Sequence, residues 1–137
     1  MMPPQMDQPG NQKTLEEIVD EVAIYSADAY QFVQEGLSFA VQRVHGERAD
    51  PNANRHITGQ QLCEGLRDYA LARWGLLAGT VLRRWGIAST MDFGRIVFVL
   101  IENSRLQKTD EDTIDDFRNV YDFRTAFESK YRIPSKT

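Results

Sequence analysis

"STMDFGRIVFVLIEN", Ser89 to Asn103, is the stretch on which the fold of this 137-residue chain turns. Ile96 to Ile101 is an unbroken apolar run, rich in β-branched residues, and such a run suits a buried strand as well as a buried helix. Two features favour a helix. Phe93, Val97, Leu100 and Ile101 recur at helical spacing, and Ser89 and Asp92 are spaced as a capping box, in which each side chain satisfies a backbone N–H of the other. A buried strand is the alternative. The run is far too short to cross a membrane as a helix.

Upstream, Thr58 and Gln61 form a second capping box, with Ile57 and Leu62 as its hydrophobic staple, and open a helix carrying Leu62, Leu66, Tyr69 and Ala70 on one stripe. It is expected to stop at Gly75. "RWGLLAGTVLRRWG", Arg73 to Gly86, contains Arg-Trp-Gly twice and both tryptophans of the chain. Each copy reads as a helix ending, with arginine near the negative end of the dipole and glycine just past the last turn. Leu76 to Trp85 is the short helix between them, with Leu77, Val81, Leu82 and Trp85 inward and Arg83 and Arg84 outward.

Further upstream, a central helix is expected from about Asp28 to Gly46, with Tyr30, Val33, Leu37, Ala40, Val41 and Val44 inward. "ERADPNANR", residues 47–55, has the composition of an exposed loop. Another helix is expected from the capping box of Thr14 and Glu17, carrying Leu15, Ile18, Val19 and Val22. Residues 1–13 read as a mobile tail. Downstream, Phe117, Val120, Tyr121 and Phe127 sit at helical spacing, with a small β-hairpin near residues 116–124 as the alternative. The expectation is therefore one all-α domain of five or six helices over residues 14–128, with terminal tails at 1–13 and 129–137.

Composition narrows the function. Net charge is −4, distributed as −6 over residues 1–42, +3 over 43–95, −4 over 102–128 and +3 over 129–137. The single cysteine, Cys63, excludes an intramolecular disulfide framework. The start "MMPPQMDQPGNQK" has neither the basic nor the apolar region of a signal peptide. A cytoplasmic location with no membrane contact is the expectation. Phosphate-loop, dinucleotide and zinc-protease motifs are absent from the sequence, so no cofactor and no metal are expected. One cysteine and two histidines, His45 and His56, do not make a closed zinc site. The acid-rich run Asp110 to Asp116 departs from the EF-hand pattern at its fifth position, Ile114, and at its glycine and terminal glutamate positions, Asp115 and Tyr121. Cys63 lies beside an apolar stripe, where a buried, unreactive thiol is expected.

Four arginines remain as candidate binding residues: Arg67, Arg73, Arg83 and Arg84, around two short helices that resemble a helix-turn-helix in outline. A non-enzymatic protein-interaction module with an unidentified protein partner is the first expectation. A nucleic-acid- or ribosome-associated protein using those arginines is the alternative. An enzyme using carboxylates such as Asp92, Glu102 or Asp112 is a third reading.

Taken together, "HITGQQLCEGLRDYALARWG", "VLRRWGI", "TMDFGRIVFVLIE" and "DDFRNVYDFRTAF" resemble a family of conserved uncharacterised proteins known mainly from Planctomycetes and Verrucomicrobia. The resemblance covers about residues 14–128. It implies a bacterial, cytoplasmic protein, and it brings no activity, substrate or catalytic residue with it.

Overall fold

The computed structural model describes residues 1–2, 24–46, 56–109 and 112–127. The helix expected from Thr14, most of the N-terminal tail, the loop 47–55 and the C-terminal tail lie outside these. The described residues form an all-α domain. Helix α1 is Ala27–His45, α2 is Gly59–Trp74, α3 is Ala78–Arg84, α4 is Thr90–Glu102 and α5 is Phe123–Phe127. Short 3₁₀ turns at Gly75–Leu77 and Ile114–Phe117 precede α3 and follow α4. The one β-type pairing among the described residues is an isolated bridge between Met2 and Gln107.

The helix ends form where short-range hydrogen bonds dictate. At α2 the Gln61 N–H donates to Thr58 Oγ1 at 3.0 Å, and the Thr58 N–H donates to Gln61 Oε1 at 2.8 Å. At α4 the Asp92 N–H donates to Ser89 Oγ at 3.3 Å and the Ser89 N–H to the Asp92 carboxylate at 3.2 Å. The ambiguous run Ile96–Ile101 is thus helical. Gly75 and Gly86, the two glycines of the Arg-Trp-Gly repeats, have φ of 52° and 93°, values that strain a residue with a Cβ.

The central helix α1 buries Tyr30, Phe32, Val33, Leu37, Ala40 and Val41. Its main partner is α2, and Gly65 of α2 lets the two axes approach. Phe32 is the centre of the core, its ring within 5.3–6.5 Å of those of Tyr69, Trp74, Trp85 and Phe93.

Several expectations are corrected. Val44, at the end of the α1 stripe, is 43% exposed, because the last turn faces a shallow depression shared with Gln61 and Glu64 instead of the core. Leu77 is 62% exposed rather than inward. It belongs to a 3₁₀ turn, whose three residues per turn rotate it off the α-helical stripe. Residues 114–127 form neither a continuous helix nor a hairpin. Asn119 takes a left-handed φ of 50°, and Thr90 clamps the turn by donating to the Phe117 carbonyl at 2.6 Å while accepting from the Val120 N–H at 3.2 Å.

Met1 and Met2 are not a mobile tail. The Met1 side chain is buried, and its α-ammonium pairs with Asp112 at 2.7 Å and donates to the Ile57 carbonyl at 3.1 Å. A buried carboxylate supplies the charge that the ammonium needs once it leaves water.

Candidate functional site

The clamp at Thr90 has a consequence for the surface. By fixing residues 117–120 against the first turn of α4, it holds the chain around Asn119 beside Ser89. Two adjoining cavities open there, of about 390 and 440 Å³. Both are lined by Ser89, Asn119 and Tyr121. Arg83 from α3 and Arg124 from α5 line the first, and Arg95 from α4 and Arg118 line the second. Together they form one groove carrying four guanidinium groups from four parts of the chain. Among the described lining residues Asp122 is the carboxylate, and it already accepts from the Arg124 N–H at 2.8 Å and the Thr125 N–H at 3.3 Å.

Two of the arginines are oriented by neighbouring acids. Arg95 pairs with Asp92 at 2.8 Å, and Arg118 with Asp115 at 2.9 Å. Each guanidinium has five N–H donors, so one such bond leaves donors for a ligand. Asp92 is itself buried and accepts from the Tyr25 hydroxyl and from the Ala88 N–H. Burial pushes its carboxyl up, but the bonds from Tyr25, Ala88 and Arg95 outweigh this and hold it below the usual carboxylate range. Burial and the bond to Asp92 push the Tyr25 phenol up to about 12. The groove floor is aromatic. Tyr121 stacks on Phe123 at 6.0 Å, and its hydroxyl donates to the Cys63 carbonyl at 2.7 Å. Met91 and Ile114 add an apolar ledge.

Of the four arginines nominated from sequence, Arg83 alone lines this groove. Arg84 is exposed on the next position of α3. Arg67 pairs with Asp68 at 2.9 Å and lies over the Tyr121 ring at 5.7 Å. Arg73 pairs with Glu35 at 3.0 Å and lies over the Trp74 ring at 4.7 Å. Arg95, Arg118 and Arg124 were not nominated. Their spacing in sequence carries no pattern, and only the meeting of α4, α5 and the Asn119 turn assembles them.

The carboxylates nominated for catalysis divide. Asp92 underlies Arg95 as described. Asp112 is buried and holds the Met1 ammonium, with the Thr109 N–H donating at 2.9 Å and His56 Nε2 at 3.1 Å. Burial raises its carboxyl, and these bonds more than reverse the effect. Glu102 is exposed at the end of α4. Cys63 is fully buried, and burial pushes its thiol well above the usual range. His45 reaches the His56 carbonyl at 2.6 Å. Among the described residues no three His, Cys, Asp or Glu side chains gather as metal ligands would, and no helix is long and apolar enough to cross a membrane. Residues 110 and 111 of the acidic run lie outside the described residues. Comparison with models of known protein families, with curated proteins and with solved structures finds no match for this chain.

Proposed function

We propose that this chain is a cytoplasmic, non-enzymatic protein-interaction module that receives an acidic segment of a partner protein in the arginine-lined groove. The observation that carries this is the convergence of Arg83, Arg95, Arg118 and Arg124 around Ser89, Asn119 and Tyr121. Guanidinium is the side chain suited to planar, two-pronged recognition of carboxylates. Met91, Ile114 and Phe123 supply apolar contact between the charges, which fits a peptide carrying both acidic and apolar side chains. Asp92 and Asp112 are spent on hydrogen bonds that hold the fold, which leaves Glu102 of the three carboxylates named for the enzyme reading. The resemblance to the planctomycete and verrucomicrobial family supplies no activity, so the proposal stands on this geometry.

Nucleic acid is the second reading, favoured by the stacked Tyr121 and Phe123 within a basic groove. The exposed Asp115 and Asp122 beside the groove and the overall charge of −4 oppose a continuous phosphate backbone. The test is fluorescence anisotropy at low salt, with a labelled peptide of alternating Glu and Leu and, separately, a labelled single-stranded RNA. Saturable peptide binding is expected. Arg83→Ser with Arg124→Ser, or Arg95→Ser with Arg118→Ser, is expected to weaken it about tenfold or more while the thermal unfolding midpoint stays near native. Tighter, steeply salt-dependent RNA binding moves the assignment to the second reading. No binding of either probe, or binding unchanged in both double variants, removes the groove as the interaction site.

A further inference from the structure

The two Arg-Trp-Gly repeats meet in space on a different face. Trp74 and Trp85 stand edge to face, with ring centroids 5.4 Å apart and planes at 81°. Both are half-buried, and they line a cleft of about 380 Å³ together with Phe32, Val81, Gln31, Asp28, Glu35 and Arg73. Tryptophan faces and carboxylates in one cleft form a seat for a cation, since the ring's negative face and the anion attract the same charge.

The chain demonstrates this chemistry with its own side chain. The Arg73 guanidinium lies 4.7 Å from the Trp74 ring centroid and 3.0 Å from Glu35. Glu35 also accepts there from Tyr69 Oη at 3.1 Å and from Gln31 Nε2 at 3.0 Å. The Ser26 N–H donates to the Trp85 carbonyl at 3.3 Å and so ties the start of α1 to Trp85. Asp28, two residues on, brings an exposed carboxylate to the same cleft. Trp85 and Asp28 thus line the same cleft in which Arg73 already sits on Trp74 and Glu35.

We infer that this cleft is a binding site for an organic cation of the alkylammonium class, held by the Trp85 ring and the Asp28 carboxylate that line it. An alkylated ammonium suits the site better than a metal ion, because an aromatic wall offers no coordinating lone pair but attracts a weakly hydrated, bulky cation. Among the described lining residues, two carboxylates face one guanidinium, a balance that favours a cation. This site is independent of the arginine-lined groove.

The chain provides its own reporter, for its only two tryptophans both line the cleft. Tetramethylammonium chloride is titrated into the full chain at constant ionic strength, with sodium chloride as the balancing salt, and tryptophan emission is followed. A saturable change is expected, and it should persist in Trp74→Phe, where Trp85 alone reports. Asp28→Asn should raise the apparent Kd about two- to fivefold, as expected for an exposed charge pair. Asp28→Lys should abolish saturation by placing a tethered cation in the seat. Asp28 is exposed in the first turn of α1, so loss of its helix-dipole interaction is expected to lower the unfolding temperature by a few degrees at most, more in Asp28→Lys than in Asp28→Asn. Both variants stay folded at the titration temperature. A linear change matching that of sodium chloride overturns the inference. So does saturation that is unaltered in Asp28→Lys.

Discussion

Gly65→Ala sets two known effects against each other, and the structure decides which wins. Helix α2 gains about 1 kcal/mol of propensity when a mid-helix glycine becomes alanine. The new Cβ would stand 2.6 Å from Ala40 Cβ and 3.2 Å from Ala40 Cα on α1. Ordinary contact begins near 3.5 Å, so the two helices would have to separate by roughly 1 Å along their shared interface. The atoms met are the Cβ and backbone of a buried alanine, which has no rotamer to escape into. Overpacking of this kind costs about 1–3 kcal/mol, and the rigid partner places it toward the upper end. The expected net loss is about 1–2 kcal/mol, or a fall of about 4–8 °C in the thermal midpoint. Far-ultraviolet circular dichroism on melting measures it. Ala40→Gly removes the obstructing Cβ, so Gly65→Ala should become stabilising in that background, with a coupling of about 2 kcal/mol between the sites. Gly36→Ala is the contrast, since its Cβ meets the end of the Leu66 side chain, which can turn away, and a smaller loss is expected. A Gly65→Ala protein that melts higher than native, or a loss not reversed by Ala40→Gly, refutes the packing argument.

Two further outcomes are expected. Asp92 and Asp112 have folded pKa values below the ordinary 3.8, so their stabilisation is complete above that pH and is lost as pH falls through it toward the folded values. The burial-lowered Met1 ammonium has the same sign in a different window, adding stability as pH rises toward 8.0. Urea melts across pH should therefore show stability rising with pH in both windows, and Asp112→Asn should flatten the acid limb; a native acid limb already flat between pH ~5 and ~2.5 would contradict the assignment. Cys63, buried with its thiol held protonated, should react with a thiol reagent only as fast as the protein opens, and immediate complete labelling of the native state would disprove this burial.

The boundaries of α2 and α4 were legible because each is set by bonds spanning three residues, Thr58 with Gln61 and Ser89 with Asp92, and no distant partner is needed to form them. The two glycines that end α2 and α3 were legible for the same reason, since a positive φ is a local demand. The α1 stripe from Tyr30 to Val41 followed from periodicity, because a 3.6-residue repeat places those side chains on one face of any helix. Leu77 was misjudged because a 3₁₀ turn changes that repeat, and nothing in "GLLAG" announces the change. The Asn119 turn was missed because its clamp is Thr90, thirty residues away.

Four arginines close in sequence suggested one binding surface, and side-chain chemistry alone supports that suggestion. Tertiary structure distributes them otherwise. Arg73 goes to Glu35 on α1 and Arg67 to Asp68, while Arg83 joins Arg95, Arg118 and Arg124 around Ser89, Asn119 and Tyr121. Likewise, the second Arg-Trp-Gly repeat could be read as a helix ending, but not as one wall of a cleft whose carboxylates come from α1. The sequence by itself determined the all-α class, the helix caps and the buried stripe, because these rest on interactions within a few residues. Only the tertiary structure decided where charge accumulates, because a groove or a cleft is made of side chains whose proximity is set by how the helices pack.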